Sequence, residues 1–198
     1  MDGKKLIEYM HSKNYRVRAI NIVYLEDVDA DTWLPVQGML DVWDDARILV
    51  TDDGKVELSC EATTEPGAWY TYNKMNPKGA ARIAFGQYRD AWTVGYHLGK
   101  QLSLVQVKPI IVHRDSNKDG TRVKDILDIG LFGINQHTTA TNPNTTPPVN
   151  IGRWSAGCLV GKWSSTHYLR FMPVVSNTGH KYLDTTIIAG DDFHKFKG

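Results

Sequence analysis

The chain has 198 residues, with 23 Lys and Arg against 22 Asp and Glu, long enough to bury a full hydrophobic core yet most simply read as one domain. The near balance of charge excludes the basic footprint of a nucleic-acid binder or an anionic-membrane binder. No apolar run approaches the roughly 20 residues of a membrane-spanning helix, and residues 1–15 are too polar for a signal peptide's apolar segment, so synthesis in the cytoplasm without a visible export signal is expected.

Residues 3–14 carry Leu6, Ile7 and Met10 at helical spacing among lysines and Glu8, which predicts a short amphipathic helix. Residues 18–25, rich in Ile, Val and Tyr, predict a strand. Residues 47–50 and 55–63 flank Asp52-Asp53-Gly54, whose Asp-Gly step marks a β-hairpin. Residues 82–88 and 92–98 read as a second hairpin across a short polar turn, and 102–113 as a long strand interrupted at Pro109. Asp115-Ser116-Asn117-Lys118-Asp119-Gly120 copies the first half of a calcium loop, but its twelfth position is Ile126 rather than Glu, so it reads as an Asx-rich turn. Residues 138–150, with Pro143, Pro147 and Pro148, must form a surface loop. Residues 164–172 predict a helix capped by Ser164 or Ser165 and closed by Pro173.

Of the two cysteines, Cys60 lies in an alternating stretch and reads as a half-buried strand thiol. Cys158 follows a glycine in Ile151-Gly152-Arg153-Trp154-Ser155-Ala156-Gly157-Cys158. A cysteine after glycine can sit on a tight turn whose amides face an oxygen on the attacked carbon, an oxyanion hole. A thiol is mostly protonated at neutral pH, so a nucleophilic Cys158 needs a base, and His137 is the candidate. Such a thiol is expected to alkylate at lower pH than an ordinary one. No Cys-x-x-Cys or His-Glu-x-x-His spacing occurs, so neither a metal nor another cofactor is expected.

The order Phe132-Gly133-Ile134, His137, 17 intervening residues and Ser155-Ala156-Gly157-Cys158 resembles the catalytic signature of the L,D-transpeptidase catalytic-domain family. Upstream, Asp53-Gly54 followed by Thr64-Glu65-Pro66-Gly67-Ala68-Trp69-Tyr70 is similar to that family's Asp-Gly hairpin and Thr-Pro-x-Gly-x-Phe-like segment. The likeness runs from about residue 40 to about 162. Three positions depart from it: Ala156 stands where the family usually has a second histidine, Val160 where a polar residue is usual, and Asn135-Gln136 separates Ile134 from His137.

The resemblance implies a mainly β, single-domain L,D-transpeptidase catalytic fold, sandwich-like or barrel-like with short peripheral helices, over residues 21–198 after a helical extension at 1–20. It implies Cys158 as nucleophile, His137 as general base and acid, Gly157 with the Cys158 amide as the oxyanion hole, and Ser155 at the family's Ser/Thr position. Arg153, Trp154 and His97 are the residues expected to meet substrate; His97 could instead orient His137. The implied substrate is a peptidoglycan stem peptide, attacked to give a thioester, and the implied place of action is the bacterial cell wall. Water as acceptor gives hydrolysis, the expected outcome, as in a phage endolysin; a second stem's amine gives a cross-link. The alternative from another class is a non-catalytic peptidoglycan-binding or virion structural module. A papain-like protease is disfavoured because there the cysteine usually precedes the histidine.

Overall fold

Gly54 adopts φ +86° in the computed structural model, which describes residues 1–198, so the Asp-Gly step turns the chain as its chemistry requires. It joins β2 (Asp45–Thr51) to β3 (Val56–Thr63) in an antiparallel pair. The other strands are β1 (Ile20–Glu26), β4 (Ala80–Ile83), β5 (Gly86–His97), β6 (Gln101–Gln106), β7 (Ile110–Asp115), β8 (Ile126–Gly130), β9 (Gln136–Thr138), β10 (Leu159–Gly161) and β11 (Leu183–Ala189). Eight close into a barrel in the order β1-β11-β5-β6-β9-β10-β3-β2, and β4-β7-β8 form a separate antiparallel sheet. The expected mainly β, barrel-like single domain with short helices is the architecture found.

Two cores hold it. The larger joins barrel residues such as Tyr24, Leu49, Leu58, Trp92, Leu104 and Ile187 to Ile83, Ile110 and Val112 of the small sheet. The second lies between the barrel wall and two helices, α1 (Gly3–Ser12) and α5 (Gly190–Lys195). Leu6, Ile7, Tyr9 and Met10 of α1 meet Val23, Leu25, Ile48 and Phe193 there. Asp2 starts α1 by accepting the Lys5 amide at 3.0 Å, an N-cap bond that satisfies an otherwise unpaired donor.

Three expectations are corrected. Residues 82–88 and 92–98 do not form a hairpin: β5 runs unbroken through Asp90 and pairs with β6. Asp90 takes φ +56°, held by Arg16 and Arg18 on its carboxylate at 2.9 and 2.7 Å and by its own amide on Asp184 at 2.8 Å. The polar stretch is therefore a bend inside a strand. Residues 102–113 are interrupted at Pro109 as expected, because proline cannot donate to a ladder, but the two pieces are separate strands, β6 of the barrel and β7 of the other sheet, rather than one long strand. Pro173, thirdly, does not end the helix. The chain passes from α3 (Ser164–Thr166) through a π turn at His167–Phe171 into α4 (Met172–Ser176), where Pro173 occupies a first-turn position that tolerates it.

At 115–120 the Asp115 carboxylate accepts the amides of Lys118 and Gly120 at 2.6 and 3.0 Å. Fully buried Arg82 lies 3.8 Å from it. The stretch is an Asx turn closed on its own amides.

Candidate active site

β9 and β10 are parallel neighbours, with Leu159 opposite Gln136 and Val160 opposite His137. Parallel neighbours need a long crossover, and the proline-rich loop at 139–158 supplies it. The register places Cys158, just before β10, alongside the start of β9, although 21 positions separate it from His137. Both cysteines are free thiols.

The turn that presents Cys158 is tied down from three sides. Asp41 accepts the amides of Gly152 and Ala68 on one carboxylate oxygen at 2.6 and 2.9 Å. Gly67, just before α2 (Ala68–Tyr72), donates its amide to the Ser155 carbonyl at 3.0 Å. The Ser155 hydroxyl donates to the Cys158 carbonyl at 2.8 Å and accepts the Gly157 amide at 3.1 Å. Gly157 itself has φ +119°, and a Cβ there would stand 2.5 Å from the Ala81 carbonyl oxygen.

These contacts revise two expected roles. Ser155 is buried and shapes the turn. Gly157 cannot lend its amide to an oxyanion, because Ser155 already holds it; the Cys158 amide, which meets no acceptor in the chain, remains available. Gly157→Ala is expected to lower stability by about 2 kcal/mol, through a strained φ and a backbone clash. Chemical denaturation checks this, and an unchanged midpoint would contradict it.

Around Cys158 stand two imidazoles. One ring nitrogen of His97, one of His137 and the Cys158 sulfur all lie within 4.8 Å of one another. The rings are stacked, with centroids 4.1 Å apart and planes 12° from parallel. A metal bound through both rings would have to lie near both ring planes, which this stack does not offer.

Hydrogen bonds fix the tautomers. His137 Nδ1 is 2.9 Å from the Thr138 carbonyl oxygen; a carbonyl only accepts, so in the neutral ring Nδ1 carries the proton and Nε2 the lone pair. His97 Nδ1 is 3.0 Å from Asn135 Nδ2. Asn135 Oδ1 accepts the Gln106 amide at 2.9 Å, which identifies Nδ2 as the donor. His97 Nδ1 therefore accepts, and its proton sits on Nε2.

Burial disfavours charge on each member. It pushes His137 down to about 3, with His97 and Arg47 nearby acting the same way and the Thr138 carbonyl opposing. It lowers His97 as well. It raises the Cys158 thiol to about 11, against the pull of the Asn135 amide. The resting pair is thus a neutral thiol beside a neutral imidazole, contrary to the expectation of a standing thiolate. Iodoacetamide labelling of Cys158 is expected to climb through the alkaline range towards pH about 11. A plateau already reached below neutrality would show a thiolate and imidazolium pair instead.

Behind the pair lies Arg47, fully buried in β2. It donates to the Tyr24 hydroxyl at 2.7 Å, to the His137 and Leu159 carbonyls at 2.9 and 3.1 Å, and to His167 Nδ1 at 3.1 Å. His167 Nε2 in turn donates to the Leu102 carbonyl at 2.9 Å. The guanidinium also lies over the Phe171 ring, 4.5 Å from its centroid. Arg47, Asn135 and Asp41, none of them marked by a motif as a site residue, also position the site.

Comparison with family models, with curated proteins and with solved structures finds no match.

The remaining expected substrate contacts are less organised. Arg153 is exposed and stacks on Trp69, 4.1 Å from its centroid, and Trp154 is exposed. A groove of about 680 Å³ is lined by Asp44, Glu61, Trp43 and Trp163 among others. Trp43 packs with Ile151 and Val160, against which Cys158 also rests. Cys60 fits the half-buried strand thiol expected of it: it sits in β3 near the Arg47 carbonyl, and burial raises it.

Proposed function

We propose that this chain is a cysteine-dependent acyl-transfer enzyme of the bacterial cell wall, a divergent relative of the L,D-transpeptidases acting on peptidoglycan stem peptides. The observation that carries the reading is that the Cys158 sulfur lies within 4.8 Å of a ring nitrogen of His137, in the chain order that the local motifs resemble, while the resting thiol donates to the Gly133 carbonyl oxygen 3.7 Å away.

The neutral pair defines the mechanism. As Cys158 attacks a stem-peptide carbonyl, its proton passes to the free Nε2 of His137, so charge develops only during the step. The Cys158 amide faces the forming oxyanion. Imidazolium His137 then returns the proton to the departing amine, and a thioester remains. Cys158 keeps part of its surface in solvent, which leaves the thioester open to water, and hydrolysis is the outcome we favour.

Product masses after incubation with purified muropeptides test this. Shortened stems or released amino acids support hydrolysis, and new dimers would mean cross-linking instead. Unchanged muropeptides would favour a non-catalytic peptidoglycan-binding or virion structural module, a reading to which the neutral resting pair lends some support.

A further inference from the structure

The turn before Cys158 leaves the oxyanion short of a donor. Ser155 Oγ holds the Gly157 amide at 3.1 Å, so of the two amides expected to face the oxygen, only that of Cys158 is free. One hydrogen bond stabilises a developing alkoxide less well than two, and removal of a single donor from such a site typically slows turnover about 10²-fold to 10³-fold.

His97 is built to fill the vacancy. It stands at the end of β5, half-buried, with its ring nitrogen within 4.8 Å of the Cys158 sulfur. An oxyanion donor must come within roughly 3 Å of the oxygen on the carbon that the sulfur attacks, and a group at this range from the sulfur has that reach. Asn135 fixes the ring from behind: its side-chain amide donates to His97 Nδ1 at 3.0 Å, and its orientation is set by the Gln106 amide at 2.9 Å. The two imidazoles consequently differ at the Nε2 that each leaves free. His137 offers a lone pair and His97 an N–H.

Resting on the acyl-transfer reading, we infer that His97 is a catalytic residue whose Nε2–H donates to the substrate oxyanion, while His137 alone moves the thiol proton. No proton need leave His97 during the step. The carbonyl π electrons move onto oxygen as the carbon–sulfur bond forms, and the His97 hydrogen bond stabilises that charge until the carbon–nitrogen bond breaks. Burial of His97 disfavours its charged form, so it serves as a neutral donor.

Two reactions of the same sulfur separate this role from a merely supporting one. Hydrolysis of muropeptides passes through an oxyanion; alkylation by iodoacetamide displaces iodide and forms none. His97→Phe keeps an aromatic ring against His137 but removes the donor. It is expected to slow muropeptide turnover about 10²-fold while changing the alkylation rate of Cys158 by no more than about 3-fold. His97→Gln, which keeps an N–H donor, is expected to recover part of the loss. His137→Ala should slow both reactions. Parallel losses in both reactions for His97→Phe, or no loss in either, would overturn the assignment. An unmodified protein that alkylates but leaves muropeptides intact would overturn the acyl-transfer reading itself, and this inference with it.

Discussion

Cys158→Ala is expected to lose all turnover of purified cell wall, and His137→Gln to lose about 10²-fold to 10⁴-fold, the usual contribution of a positioned general base. The two losses differ in kind. Without the sulfur no thioester can form, whereas without the imidazole the thiol must ionise unaided, and burial holds it near 11. Raising the pH should therefore recover part of the His137→Gln activity and none of the Cys158→Ala activity. Turbidity loss of purified walls reads both variants. Equal activity of Cys158→Ala and the unmodified protein would remove the mechanism. Neither substitution removes one of the anchors of the turn, so both variants are expected to fold.

Arg47→Met is the largest expected loss of stability. The guanidinium serves the Tyr24 hydroxyl, the His137 and Leu159 carbonyls and His167 Nδ1. All stay behind when it is removed. A buried acceptor left without a donor costs about 1–3 kcal/mol, and relief from desolvating the charge offsets only part of the sum. A net loss of about 3 kcal/mol is expected, near the lower end of what breaking a buried charged network costs. For a chain of this length that lowers Tm by roughly 10 °C. Two of those acceptors belong to β9 and β10, so activity should fall with stability. Thermal unfolding followed by circular dichroism measures the first, and an unchanged Tm would show that the barrel interior repacks without the charge.

Much of this architecture can be read in the residues because its causes are local. Asp53-Gly54 requires a positive φ and sets the β2–β3 pairing; Leu6, Ile7 and Met10 share one face of α1; the prolines of the 139–158 crossover forbid a regular element. What escapes such reading has distant causes. β5 continues past Asp90 only because Arg16, Arg18 and Asp184, far away in sequence, hold that residue in a bend. Arg47 sits in an ordinary strand pattern, and nothing beside it announces that its acceptors come from β1, β9, β10 and the helical π turn. At the site, the order of His137 and Cys158 in the chain points to the pair. The capture of the Gly157 amide by Ser155, and the bond from Asn135 to His97, depend on how the turn and two strands meet. Asn135 was visible only as one of two residues interrupting a motif; its side chain is what fixes the second imidazole.

The most direct measurement is a search for the thioester. Protein mixed with muropeptides, quenched in acid within the first turnovers, digested and weighed by mass spectrometry should carry a stem-peptide acyl group on the fragment containing Cys158, removable by hydroxylamine. Product formation with no acyl group on Cys158, and the same yield from Cys158→Ala, would contradict it.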